Sequence, residues 1–326
     1  MPTVFPDNPL SATGLWTALG WPMLRLLLGL ATGLLLANLL EALHWTRRLA
    51  LLAAPLARAA HFQETAGAAF SLAFVSPAAA NGLLSTCHKQ GRISGKELML
   101  SNLCNSLPAY LTHTPTIFLL TWPVLGPPAL IYVGLTLMAA AGRTGATVLL
   151  ARQILPPPHR QIMPYAEPAS TGPALSAALH KAWQRFLRRL PKLIGFTAPM
   201  YVLMFFLQRY GFFAAAEQWL VTHMDWLAFL KPQAMSVIVL HLAAELGAAL
   251  GAAGSVLQSG GLDARDVVLA LMVGNILSTP MRAIRHQLPA YAGFYSPGLA
   301  LRLIVANQGV RAVSMALVTI GYYCLT

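Results

Sequence analysis

Between Glu97 and Arg143 the chain carries no acidic or basic side chain except His113. A water-soluble surface cannot be built from so long an uncharged run, whereas two passes through the hydrocarbon of a bilayer call for one. The rest of the composition agrees. Hydrophobic residues make up 56% and charged residues 10% of 326, where a soluble domain carries about 25% charged. The net charge of +12 is gathered in short loops between apolar spans. That pattern fits orientation in a membrane and argues against nucleic acid as a partner. Cys87, Cys104 and Cys324 form neither a disulfide framework nor a CxxC metal signature. No Lys or Arg precedes the first apolar run, which argues against a cleaved signal peptide.

Within this composition the chain repeats itself. The segment GRISGKELMLSNLCNSLP, Gly91 to Pro108, returns as GGLDARDVVLALMVGNILSTP, Gly260 to Pro280. Ile93, Lys96, Glu97 and Leu98 fall on Leu262, Arg265, Asp266 and Val267 at a constant offset of 169. Ser94 with Glu97, and Asp263 with Asp266, read as capping boxes that each start an apolar helix. Each helix then meets a break, Asn105 to Pro108 and Asn275 to Pro280, and each copy later sets an arginine deep in an apolar span, Arg143 and Arg311. Two halves with interrupted helices are the sequence pointer to a transporter-like core.

The expected fold is all-α: a polytopic membrane protein of two inverted repeats, each with a re-entrant hairpin and a broken helix. Residues 1–63 hold a span over Trp21–Leu43, with Gly29 and Gly33 for close helix contact, and an interfacial helix. Residues 64–153 form the first repeat, with a hairpin turning at Pro77, a break at Pro108, irregular Thr112–Pro115 and a span over Pro128–Ala151. Residues 154–192 are a basic linker with an amphipathic helix over Leu175–Leu190. Residues 193–232 hold a span to Phe213 and an interfacial helix with Trp219 and Trp226. Residues 233–326 form the second repeat, with Ser236–Leu257 and a last span over Leu299–Tyr323. From 152 to 192 there are seven Lys/Arg against one acid, Glu167, so this stretch is expected in the cytoplasm. The N-terminus then lies outside. The loop before the first broken helix (Lys89, Arg92, Lys96) lies inside, and the acidic one before the second (Asp263, Asp266) outside. Opposite charge on equivalent loops is the mark of halves in opposite orientation.

Asn105, Ser106, Asn275, Ser278 and Thr279 stand at the breaks, where a proline frees backbone carbonyls that are tolerated at depth only against protein or a polar cavity. They are the candidate solute-binding residues, with the bland alternative that they re-satisfy a kinked backbone. His113, beside the first break, joins them. Arg143 and Arg311 could hold an anionic solute, or could be neutralised by an acid such as Glu64 or Glu245, since an arginine at membrane depth costs at least about 2.5 kcal/mol. His241 and Glu245, four residues apart on one helix, could bind a metal or relay protons, but read better as a satisfied polar pair. Two decoys fall away. Gly91-x-x-x-Gly95-Lys96-Glu97 is one residue short of a phosphate loop and lacks its Ser or Thr. Gly247-x-x-x-Gly251-x-x-Gly254 reads as small-residue packing. No catalytic constellation is present in the sequence, no cofactor is called for, and a metal site stays unknown.

At its breaks the chain resembles the nucleoside-recognition, or Gate, domain family, which includes the gates of the ferrous-iron permease and the spore maturation membrane proteins. Cys104-Asn105-Ser106-Leu107-Pro108-Ala109 is similar to the permease Cys-Asn-x-Pro-Ala stretch with one residue added. Gly274-Asn275-Ile276-Leu277-Ser278-Thr279-Pro280 is similar to the spore maturation Gly-Asn-x-x-Thr-Pro, again with one insertion. The resemblance implies a non-enzymatic multi-pass protein of the bacterial inner membrane that transports a small polar solute (nucleoside, organic anion and divalent metal all remain open). The alternative is a non-transporting membrane anchor or regulatory factor on the same fold. Anionic lipids are the expected partner of the basic linker, and a second copy of the chain or a membrane partner protein is left open.

Overall fold

The computed structural model describes residues 12–42, 53–157, 175–210 and 230–326. Every regular element among them is a helix. After a helical lead-in over 12–20 these are α1 (Trp21–Ala42), α2 (Ala53–Ala59), α3 (Glu64–Ala73), α4 (Pro77–Lys89), α5 (Gly95–Cys104), α6 (Ser106–Leu125) and α7 (Pro128–Ile154). They continue as α8 (Leu175–Arg209), α9 (Pro232–Gln258), α10 (Ala264–Leu277), α11 (Thr279–Arg282), α12 (Leu288–Ala292) and α13 (Pro297–Leu325), with a π-helical stretch over Ala283–Gln287. Three described helices are long and apolar enough to cross a membrane: Thr13–Leu36, Pro128–Ile154 and Pro297–Leu325. The calls on 43–52, on 158–174 and on the Trp219/Trp226 helix lie outside the described residues.

The repeat is present in local structure. Helix α4 ends on Gly91 at φ 69°, and α9 on Gly260 at φ 74°, a left-handed conformation that only glycine adopts without strain. In both turns the same two bonds close the helix: Arg92 N–H to the Cys87 carbonyl and Gly91 N–H to His88, then Gly261 N–H to Val256 and Gly260 N–H to Leu257. The next helix is capped alike, the Ser94 hydroxyl accepting from the Glu97 N–H at 3.1 Å and the Asp263 carboxylate from the Asp266 N–H at 2.9 Å. The boxes do not close reciprocally. Glu97 instead accepts the N–H of Gln63 at 2.7 Å, and Asp266 pairs with Lys231. Gln63 and Lys231 are themselves the N-caps of α3 and α9, 168 residues apart. Each copy therefore ties the start of its capped helix to the start of the helix or helix pair before it.

The breaks are milder than the sequence suggests. Asn105 (φ −61°, ψ −6°) and Ser278 (φ −72°, ψ −5°) each interrupt the helix by one residue. Both lie within the turn before a proline, whose ring crowds the carbonyl four residues back and cannot donate to it. Beyond Asn105 the chain is helical through Thr112–Pro115, which the sequence reading expects to be irregular. Thr112 and Thr114 settle their hydroxyls on the carbonyls of Pro108 and Tyr110 at 2.9 and 3.0 Å, so no polar group there needs an opened backbone. The amphipathic helix and the following span are likewise one helix, α8, which carries Pro191 and Pro199 inside it. The turn at Phe74–Ser76 does separate α3 from α4, with Ser76 capping Ala79. Its counterpart α9 runs unbroken.

The chain gathers into two compact units. The first comprises Met1–Asn38, Thr116–Tyr132 and Trp183–Leu277. Its core is α10 laid along α9: Val267 to Met272 and Ala248, Ala249, Leu250, Ala252 and Ala253 are wholly buried. A Cβ at Gly274 would stand 2.9 Å from the His241 Cβ, so the helices meet there with no room for a side chain. The second unit comprises Leu39–Pro115, Val133–Ala182 and Ser278–Thr326. Phe62, Phe70, Phe74, Leu84, Leu98, Cys104 and Leu303 fill its core, and Ala53 and Ala57 of α2 are part of it.

Candidate functional site

The second unit encloses a buried polar network centred on Asn102, a residue the sequence reading passes over. The Asn102 amide donates to Asn81 Oδ1 at 2.8 Å, and its oxygen accepts from Tyr291 Oη and from Asn307 Nδ2, both at 3.1 Å. Tyr295 closes the far side by donating to Asn81 Oδ1 at 3.1 Å. Four helical segments, α4, α5, the α12 region and α13, are thus pinned at one point. The network is neutral and saturated around Asn102, as a polar group buried among Leu98, Cys104 and Leu303 must be.

One helical turn beyond that hub, saturation stops. Asn105, only 7% exposed, has no hydrogen-bonding partner for either its amide nitrogen or its amide oxygen. Gln308, next to Asn307 on α13 and 6% exposed, likewise has neither amide atom partnered. A buried polar atom left without a partner costs roughly 1–3 kcal/mol, and each of these amides carries that cost at both atoms. Ser106 is engaged: its hydroxyl meets that of Thr144 at 3.3 Å, which brings the interruption against α7 beside Arg143. Tyr110, four residues further along α6, binds the Val133 carbonyl at 3.1 Å and the Thr136 hydroxyl at 2.5 Å, and it is the electrostatic neighbour of Arg143.

The two arginines, equivalent in sequence, are not equivalent in structure. Arg311 donates from a terminal guanidinium nitrogen to the Thr279 hydroxyl at 3.0 Å. Arg143 is half-buried, and its Nε is enclosed without a partner. Glu64, expected as a counter-charge, lies exposed in the first turn of α3 and forms no ion pair with either arginine. The Glu245 side chain lies outside the described residues. In the first unit Asn275 donates to Tyr132 Oη at 3.0 Å. His113 is exposed on α6, Ser278 and Thr279 are buried, and His241 is buried against Gly274. No group of three metal-ligating side chains occurs among the described residues.

Charge is displayed instead at the start of α9. Lys231 pairs with Asp266 and, at 3.4 Å, with Asp263. The side-chain bond to Asp266 holds the Lys231 ammonium above its ordinary range. The backbone bond from Asp266, aided by Lys231, holds the Asp263 carboxyl below the usual carboxylate range.

No protein-family model matches the chain, and no solved structure matches it. Among curated proteins it is similar to three from the archaeon Methanocaldococcus jannaschii. The uncharacterized protein MJ0871 is 26% identical over 238 residues, 73% of either chain. The uncharacterized protein MJ1556 is 25% identical over 294 residues, 89% of this chain and 91% of its own. The uncharacterized protein MJ0880 is 22% identical over 245 residues, 74% and 77%.

Proposed function

We propose that this chain is a multi-pass transporter or permease-like protein of the cell membrane that binds a small polar solute at the Asn105–Ser106 interruption. The observation that carries the reading is Asn105 itself, an amide buried at a helix interruption with donors and acceptor unmet. A solute able to meet them would recover the desolvation cost that the solute-free protein bears. Three apolar helices of spanning length, a duplicated capped and interrupted helix, and the resemblance of Cys104–Ala109 and Gly274–Pro280 to Gate-domain motifs all support it. The basic start of α8 suits anionic lipid headgroups of the cytoplasmic leaflet.

The test is a thermal-shift screen of the purified protein in detergent against nucleosides, small organic anions and divalent metals. One class should raise the melting temperature, and Asn105→Ala should remove that shift while the protein remains folded. If no class shifts the protein and it instead co-purifies with a stoichiometric membrane partner, the non-transporting anchor is the correct reading.

A further inference from the structure

We propose that the solute is a small organic anion, held by the Arg143 guanidinium with the amides of Asn105 and Gln308, and that Arg311 has no part in holding it. This rests on the solute-site reading above and adds its chemistry. Among the described residues six side chains of the second unit carry buried polar atoms with no hydrogen-bond partner, and three of them bear on the interruption: Asn105 at both amide atoms, Gln308 at both amide atoms and Arg143 at Nε. Bonds between their immediate neighbours join the segments that carry them. Ser106 meets Thr144, which places Asn105 and Arg143 each one residue from a shared contact between α6 and α7. Asn307 meets Asn102, which places Gln308 one residue and Asn105 three residues from a shared contact between α13 and α5.

The charge decides the class. Arg143 is cationic at any physiological pH, and no carboxylate among the described residues pairs with it. A guanidinium at membrane depth without a counter-charge is expensive, and an anion supplies both the charge and a fork of acceptors for its N–H groups. The two amides add donors without adding charge. They leave the single positive charge matched to one carboxylate or a comparable oxyanion. The repeat offers a built-in contrast, because the equivalent Arg311 already spends a guanidinium N–H on Thr279, which fixes the start of α11.

The experiment uses the full chain in detergent or nanodiscs with a panel of small carboxylates, each paired with its neutral carboxamide. A carboxylate should raise the melting temperature and its amide counterpart should not. Arg143→Gln and Gln308→Leu should each weaken carboxylate affinity about ten- to a hundredfold, the worth of one charge-assisted hydrogen bond. Arg311→Gln should leave affinity unchanged. Because a variant could fail to bind by failing to fold, the solute-free proteins are melted as well. Arg143→Met and Gln308→Leu should raise the melting temperature, since each removes an unpaired buried polar group, and Arg311→Met should lower it. Equal binding of the amides and carboxylates would overturn the anion while leaving the site at Asn105. Loss of stability in Arg143→Met and Gln308→Leu, with no panel member bound by the wild type, would overturn both.

Discussion

An aspartate at a helix N-cap titrates and a serine does not, so Ser94 and Asp263, which accept the same backbone bond in the two copies, answer differently to acid. Replacing either by alanine should cost about 1 kcal/mol at neutral pH. Asp263 is largely exposed, so its additional ionic contribution is small and screened. Its carboxyl sits below the ordinary range because of the Asp266 N–H and, less strongly, Lys231. A depressed carboxylate gives stability that is present above its unfolded value, about 3.9, and is lost as pH falls through the folded one. The melting-temperature gap between wild type and Asp263→Ala should therefore narrow between pH 7 and pH 3, while the gap for Ser94→Ala stays constant. A gap for Asp263→Ala that held steady to pH 3 would mean that the cap is uncharged.

Among the elements, α5 and α13 meet through Asn102 and Asn307. Asn102→Ala would strand Tyr291 and Asn307 together, at about 1–3 kcal/mol for each group left without a partner, while Asn81 keeps its bond from Tyr295. The melting temperature should fall steeply, and the double variant Asn102→Ala/Asn307→Ala should be less damaged than the sum of its parts. Additive losses would show the two amides to be independent. This contact was not legible in the sequence: its members are spread from Asn81 to Asn307 and follow no helical period. What was legible is local. The capping residues, the terminal glycines and the apolar lengths of α1, α7 and α13 announce themselves within a few neighbours. The errors also have a local cause. Pro115 and Pro191 read as helix ends, yet α6 and α8 run through them, because a long helix packed on neighbours absorbs one missing donor more easily than a short one. Asn105 stands at an interruption in the structure, but nothing in the sequence shows that its amide lacks a partner or that Gln308 shares that condition.

At the scale of the molecule, the proposed inverted arrangement makes a claim about sides. The loop before α5 is basic with Lys89, Arg92 and Lys96, and the one before α10 holds Asp263 and Asp266. On the proposed topology the positive-inside rule favours the cytoplasm for the first, and the inverted repeat would set the second outside. In a Cys324→Ser background, whose remaining Cys87 and Cys104 are buried, cysteines at Lys96 and Arg265 should label from opposite faces of sealed vesicles. Labelling of both from one face would make the two copies parallel, and the transport proposal would lose the support of the inverted repeat.

The two ties that join each capped helix to the helix start before it differ in how they feel dissolved ions. Gln63 offers Glu97 a backbone N–H, a dipole at contact that salt scarcely reaches. Lys231 offers Asp263 and Asp266 a point charge at a largely exposed position. Moving from about 0.01 to 1 M salt shortens the screening length from roughly 30 to 3 Å. The tie in the first unit should then loosen and its sequence counterpart in the second should not. Hydrogen exchange would show it as faster exchange in the first turn of α9 at high ionic strength, against an unchanged Gln63 amide. A duplicated chain would in this way have acquired one brine-sensitive fastening and one indifferent to it.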